Sequence, residues 1–262
     1  MELRLTFNED ALNYDKFRPS YAARMFDDVI SFSSLNSSKK ALEIGIGTGK
    51  ATQPFLKTGC KLTAIEIGDK MAEFSRKRFE NFNNLEIINQ DFENVQLDEG
   101  SYDLIYSASA FHWIPPEIGL PKVYRLLKNN GVFAWISNQP IPAKEHEFIY
   151  GELKKVYEKY SQHIGENKQH LGHRQDAEEK LIERADALKQ YGFIDIQSRT
   201  YPASRTIDAD EYAGLVGTYS RHMAMPEEIR TPFLQEIRDT INHCGGKFTL
   251  SNAALLCMGR KP

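Results

Sequence analysis

The chain has 262 residues, 41% hydrophobic and 26% charged, with a formal net charge of -3. That length fits one α/β domain with insertions or a domain plus a small cap, and the even spread of apolar residues excludes a disordered or low-complexity chain. A slightly acidic balance, no apolar run near the roughly 20 residues that span a bilayer, and a start without signal-peptide layout give the expectation of a cytoplasmic protein with no nucleic-acid or membrane partner.

The first forty residues contain Tyr14-Asp-Lys-Phe-Arg-Pro-Ser-Tyr21, followed by an amphipathic run from Ala22 to Phe32. Arg18 has the planar donors to pair with a carboxylate, and the tyrosines offer flat, polar-tipped surfaces, so this leader either closes over a ligand or simply leads into a helix. Next comes the most informative stretch, Ala41-Leu-Glu-Ile-Gly-Ile-Gly-Thr-Gly49, a short apolar strand that turns through alternate glycines into a helix. Glycine permits positive φ and lets a ligand lie against bare backbone. The dinucleotide fingerprint GxGxxG differs in spacing, and an acid here, Glu43, precedes the turn. An acid at that place repels a pyrophosphate and suits a cationic ammonium or sulfonium, which favours S-adenosylmethionine over a nicotinamide cofactor.

The helix runs to Lys57 and is stopped by Thr58-Gly59. Pro54 falls in its first turn, where no intrahelical partner is lost. Lys61 to Ile67 reads as a second strand with Glu66 at its tip, and Asp69 as N-cap of a helix reaching about Phe82. An acid about 20 residues past the glycines is placed to accept both hydroxyls of a ribose, although a solvated strand-end residue would look the same. Leu85 to Asn89 is a third strand. It leads to Asp91, an acceptor for an exocyclic amine, and Phe92, a face for a purine. Gly100 to Ser107 is a fourth strand, apolar as a parallel strand buried on both faces should be. It exits into Ala108-Ser-Ala-Phe-His-Trp-Ile-Pro-Pro116. Ligand crevices of open α/β sheets lie at the carboxyl ends of strands, so Phe111, His112 and Trp113 face the crevice in a functional reading and pack as core in a structural one.

Pro121 to Lys128 completes the next helix and Val132 to Ser137 forms strand five. This alternation argues for a doubly wound parallel sheet. Pro140 and Pro142 then break the rhythm, a charged helix covers about Glu145 to Tyr160, and a polar segment from His163 to His173 precedes a helix at Asp176 to Tyr191. His163, His170 and His173 lack metal-ligand spacing, as do Cys60, Cys244 and Cys257, so no metal site and no disulfide framework is expected. Gly192 to Tyr201 is a strand, helices follow near Asp208 to Thr218 and Pro226 to His243, and Gly245-Gly246 turns into a long closing strand from Lys247 to Arg260. The run Tyr219-Ser-Arg-His-Met223 lies between those helices.

These residues resemble class I S-adenosylmethionine-dependent methyltransferases, particularly the type 11, trans-aconitate methyltransferase-like small-molecule group. Glu43 to Gly49 matches the glycine motif, joined by Glu66 and Asp91, and Tyr14 to Tyr21 looks like the family's YDxxRPxY segment. The likeness covers about residues 10 to 137. It implies a Rossmann-like, mostly parallel seven-stranded sheet with a final antiparallel hairpin and an inserted helical cap. It also implies that Gly45, Gly47 and Gly49 cradle the methionyl and ribose parts, Glu66 holds the ribose, and Ile67 flanks the adenine. Asp91 would meet the adenine amine with Phe92 nearby, and Ser107 or Ala108 would offer carbonyl oxygen to the ammonium, while Tyr14 and Arg18 would cover the cofactor. Gly68 stands where serine is common. No (Asp/Asn)-Pro-Pro-(Tyr/Phe) element follows strand four, which argues against methylation of base or amide nitrogens.

The expected organisation is a lid over residues 1–38, a cofactor-binding core over 39–138, 192–206 and 246–262, and cap insertions over 139–191 and 207–245. The expected activity is methyl transfer to a small-molecule carboxylate or hydroxyl. Phe111, His112, Trp113, Tyr219, Arg221 and His222 are candidates for the acceptor pocket, and His112 or His222 for a base. Arg18 or Arg221 would bind acceptor charge. The alternatives are a protein that binds S-adenosylmethionine without turnover and a nicotinamide-linked oxidoreductase.

Overall fold

The structure, a computed structural model, describes residues 2–141, 147–164 and 176–262. A 3-10 turn over Leu3–Glu9 leads to helices α1 (Ala11–Phe17) and α2 (Ala23–Ser33). Then follow β1 (Lys40–Ile44), α3 (Thr52–Leu56), β2 (Lys61–Glu66), α4 (Asp69–Arg78), β3 (Leu85–Asn89) and β4 (Tyr102–Ala108). A short 3-10 turn at Phe111–Trp113 precedes α5 (Pro116–Leu126) and β5 (Leu127–Pro140). The remainder comprises α6 (Glu147–Lys159), α7 (Ser161–Ile164), α8 (Ala177–Gln190), β6 (Ile194–Asp208), α9 (Ala209–Gly217), α10 (Ser220–Met223), α11 (Glu227–His243) and β7 (Lys247–Arg260).

The seven strands form one sheet in the order β3-β2-β1-β4-β5-β7-β6. The pairs β1–β2, β1–β4, β2–β3 and β4–β5 are parallel. At β7 the sense reverses: Lys261 exchanges bonds with residues 130 and 131, whereas the Ile141 amide bonds Ser251. The expected doubly wound sheet with an antiparallel end is therefore present. Chain order reverses between β1 and β4, which places a switch point at their carboxyl ends, where α/β sheets bind ligands.

Several boundaries differ from the sequence expectation for local reasons. Helix α5 starts at Pro116 and contains Pro121, because Pro115-Pro116 already supplies a start where a missing N–H costs nothing. Gly68, rather than Asp69, is the N-cap of α4; the Asp69 carboxylate accepts from the next amide, Lys70 N, at 2.8 Å. Strand β6 continues beyond Tyr201 to Asp208, where Asp208 and Glu211 form a reciprocal capping box that starts α9. Pro142, the start of the charged helix before Glu147, His170 and His173 lie outside the described residues.

The chain divides into two compact units. The α/β unit comprises Ser20–Gln139, Ala177–Tyr201 and Ala254–Pro262, and the helical unit comprises Met1–Pro19, Pro140–Asp176 and Pro202–Ala253 as far as these are described. This grouping assigns α2 and α8 to the α/β unit, whereas the sequence expectation assigns them to lid and cap. The amphipathic face of α2 explains its placement, since Met25, Phe26 and Val29 are buried with Phe55, Leu104, Tyr106 and Leu256. The helical unit has its own core, built around Leu153, Val216, Phe233, Ile237 and Phe248.

Candidate active site

The loop between β1 and α3 is shaped by its glycines. Gly45, Gly47 and Gly49 have φ of 75°, 56° and 80°, a region that a side chain enters only with strain. Their surroundings separate their roles. A Cβ on Gly45 would fall inside the Ala110 side chain, and one on Gly49 inside the Phe79 ring, so these two glycines serve the protein's own packing. A Cβ on Gly47 would meet nothing within 4 Å. Its bare flank is where a ligand can rest on the backbone.

Hydrogen bonds hold that loop from below. Glu66, at the tip of β2, accepts from the Gly47 amide at 2.7 Å and the Gly68 amide at 2.9 Å. Burial pushes the Glu66 carboxyl above its ordinary range, and the Gly68 and Gly47 amides act against that shift. Ser75 Oγ donates to Gly47 O at 2.6 Å, and Arg78 Nη1 to Thr48 O at 3.1 Å. Asn89 fixes the far side of the strand tip through Glu66 O at 2.8 Å. Thr48 Oγ1 is buried without a hydrogen-bond partner.

Glu43 faces inward. Its carboxylate is buried and accepts from Thr52 Oγ1 at 2.7 Å and from the Tyr106 hydroxyl at 2.8 Å. Burial raises its pKa to about 8, against the two hydrogen bonds that favour the anion. The sequence reading sets this acid against a cationic ligand; in the structure its Oε2 takes both of these hydrogen bonds, which brace β1 against β4 and α3.

Around the exit of β4 the strand ends are stitched together. Ser107 Oγ donates to Ile44 O at 2.8 Å. Ser109, with a φ of 60°, donates its amide to Ile136 O at 2.9 Å, and its hydroxyl meets the Asn138 amide at 3.2 Å and the Tyr21 hydroxyl at 2.9 Å. Ala108 is half-buried. Phe111 is buried against Phe133 and Trp135, with ring centroids 5.0 and 4.9 Å away, so it is a core residue rather than an acceptor contact. His112 is exposed, with its ring 4.9 Å from the half-buried Trp113. Near β2 and β3, Ile67 is half-buried and Asp91 caps the following turn, accepting from the Asn94 amide at 2.8 Å. Phe92 is buried beneath the Lys122 ammonium, which lies 5.2 Å from its ring centroid, so its face is turned into the protein.

A cofactor with a ribose and an amino-acid end fits this arrangement. The open flank of Gly47 and the orphaned Thr48 hydroxyl lie side by side on this loop, and the Glu66 carboxylate meets it through the Gly47 amide. Ser75 and Arg78 escape sequence reading, because helix residues outside the motif acquire these contacts only on folding, and Thr48 and Ser109 stand inside the quoted stretches with no pattern that marks their side chains. Tyr21 lies inside the quoted leader, yet it is Tyr21 rather than Tyr14 that bonds the β4 exit.

The other sequence-derived candidates belong to the helical unit. Arg18 donates from Nε and Nη2 to Thr218 Oγ1 and O at 2.9 and 2.7 Å, and it lies 4.7 Å from the Tyr219 ring and 5.1 Å from that of Tyr14. Arg221 is half-buried and reaches Ile164 O at 3.5 Å. His222 is wholly buried among Tyr157, Tyr219 and Phe233, its Nδ1 2.7 Å from Val216 O, and burial pushes its pKa down to about 4. That makes it a core residue of this unit.

Residues 42–135 match the model of a methyltransferase domain. A methyltransferase-like protein of Schizosaccharomyces pombe is 26% identical over 241 residues, which is 90% of this chain and 87% of that one. A malonyl-[acyl-carrier protein] O-methyltransferase of Acetivibrio thermocellus is 31% identical over 153 residues, covering 56% and 53% of the two chains. Among solved structures, phosphoethanolamine N-methyltransferase 2 of Haemonchus contortus with S-adenosylhomocysteine shares the fold. Its TM-score is 0.57 at 13% identity, over 100% of this chain and 60% of that one.

Proposed function

We propose, for a chain that belongs to the type 11 group of S-adenosylmethionine-dependent methyltransferases, that the methyl group goes to a carboxylate or hydroxyl oxygen of a small-molecule acceptor in the cytoplasm. The observation that carries the donor half is the open flank of Gly47 beside Glu66. Glu66 would hold the ribose hydroxyls, Thr48 Oγ1 a polar group of the cofactor, and Ile67 and Asp91 the adenine side. The backbone of Ser107 or Ala108 would take the ammonium. When bound, S-adenosylmethionine supplies an electrophilic methyl group on its sulfonium.

What remains for the chain's own residues is to align the acceptor with that methyl group and exclude water. His112, exposed just past β4, is the base in this reading for a hydroxyl acceptor, and Trp113 the apolar wall beside it. A carboxylate acceptor arrives ionised and needs no base. The oxygen assignment draws on the O-methyltransferase relative and on the lack of an (Asp/Asn)-Pro-Pro-(Tyr/Phe) element after β4, where Pro115-Pro116 is flanked by Ile114 and Glu117. Among the described residues no helix is long and apolar enough to cross a membrane.

The test is calorimetry with S-adenosylhomocysteine and NAD, followed by transfer from labelled S-adenosylmethionine to panels of carboxylates, phenols and amines. Binding of S-adenosylhomocysteine and not NAD, with label on oxygen acceptors, is the expected result. Label confined to amines would overturn the oxygen assignment.

A further inference from the structure

Helix α8 carries Arg184 onto the same side of β5 as Trp135 and Ser137. Arg184 is only 6% exposed. Its Nη2 donates to Ser137 Oγ at 2.9 Å, and its guanidinium carbon lies 4.8 Å from the Trp135 ring centroid. Nη1 is equally buried and has no hydrogen-bond partner. Among the described residues no carboxylate pairs with this cation. The acidic groups whose charge would act on it are the Cys257 thiol, which burial pushes up and keeps neutral, and the Glu183 carboxylate on the same helix, which forms no ion pair with it among the described residues.

A buried guanidinium left in this state is costly. Desolvation of the charge must be offset by an anion or by acceptors for every donor, and a ring face with one hydroxyl offsets only part of it. Lys180, one turn earlier on α8, approaches Gln139 Oε1 at 3.4 Å and brings a second positive charge to the same strand. The location gives the missing anion a role. Trp135 pairs in register with Ser107 of β4, so Ser137 lies in the carboxyl-terminal part of β5, the strand end that faces ligands in open α/β sheets. Trp135 also touches Phe111, the residue before His112.

We propose that Arg184 and Ser137 form an anion subsite that takes a carboxylate of the methyl acceptor. The fork of the guanidinium matches a carboxylate through two parallel hydrogen bonds, a geometry that a halide does not reproduce. The anchored group is separate from the oxygen that reacts, so the acceptor carries an acid in addition to its methylated function. This deepens the small-molecule reading above and rests on it.

Thermal denaturation of the full chain with acetate, malonate or chloride at matched ionic strength, in the tens of millimolar, tests the subsite. Wild type should gain several degrees in Tm with either carboxylate over chloride, because a ligand that binds only the native state stabilises it by mass action. Arg184→Met should show no such gain, and Ser137→Ala a smaller one. S-adenosylhomocysteine binding should be unchanged in both variants. Equal gains in wild type and Arg184→Met, or no gain over chloride in wild type, would overturn the proposal. If Arg184→Met does not fold, Ser137→Ala decides by the same comparison. Failure of wild type to bind S-adenosylhomocysteine would instead strike the methyltransferase reading and leave the anion response to be judged separately.

Discussion

The Tyr106 hydroxyl donates a 2.8 Å hydrogen bond to the Glu43 carboxylate, and both groups are buried. A carboxyl whose native pKa is raised binds its proton more tightly when folded. Its contribution is therefore complete below its unfolded pKa of 4.5 and is lost as pH rises to about 8. Denaturant titrations of wild type should show stability falling over that window, by an amount on the order of a few kcal/mol. Glu43→Gln, which keeps the shape and removes the charge, should flatten the slope. A slope unchanged in Glu43→Gln would assign it to other groups. Tyr106→Phe removes a bond that favours the anion and should cost roughly 1–3 kcal/mol.

The three glycines should fail differently. Gly45→Ala and Gly49→Ala drive a Cβ into Ala110 and Phe79, so both should lower Tm and disturb the fold. Gly47→Ala meets no protein atom and bears only the left-handed backbone penalty of roughly 1–2 kcal/mol. Its Tm should fall modestly while S-adenosylhomocysteine affinity falls far more, as measured by calorimetry. Parallel losses at all three positions would mean that Gly47 also serves packing alone.

His222 is buried uncharged, with its pKa pushed down to about 4. Its contribution is present above the unfolded value of 6.5 and is lost as pH falls toward 4, a span on the order of 3 kcal/mol. An uncharged replacement of similar size, His222→Gln, should flatten this acid limb in urea titrations. If the limb persists, another group carries it.

His112→Ala leaves the Gly47 loop untouched and should spare S-adenosylhomocysteine binding. Methyl transfer to a hydroxyl acceptor should drop by about 10²- to 10⁴-fold, as for loss of a general base, while transfer to a carboxylate should change little. Equal rates on both acceptor types would remove His112 from the chemistry.

The glycine spacing, the acid at Glu66 and the strand–helix alternation are local patterns, and local patterns are what a sequence displays. They were sufficient for the sheet and its switch point. Side-chain direction is different. Glu43 turns inward to Tyr106 and Thr52, partners 63 and 9 residues away, and nothing in its motif announces that. Phe111 and Phe92 stand at strand exits but pack inward, because an aromatic beside a crevice gains as much from core as from ligand. Arg184 reads as an ordinary charge on an amphipathic helix until the fold buries it against Trp135. The grouping of α2 and α8 with the sheet likewise depends on which apolar face meets which, a long-range fact.

The most direct test of the donor site is calorimetric titration of S-adenosylhomocysteine into wild type, Glu66→Ala and Gly47→Ala, with folding of each checked by circular dichroism. The account predicts saturable binding by wild type and its loss in both folded variants. Wild-type affinity retained in Glu66→Ala and Gly47→Ala, or no binding by wild type, would contradict it.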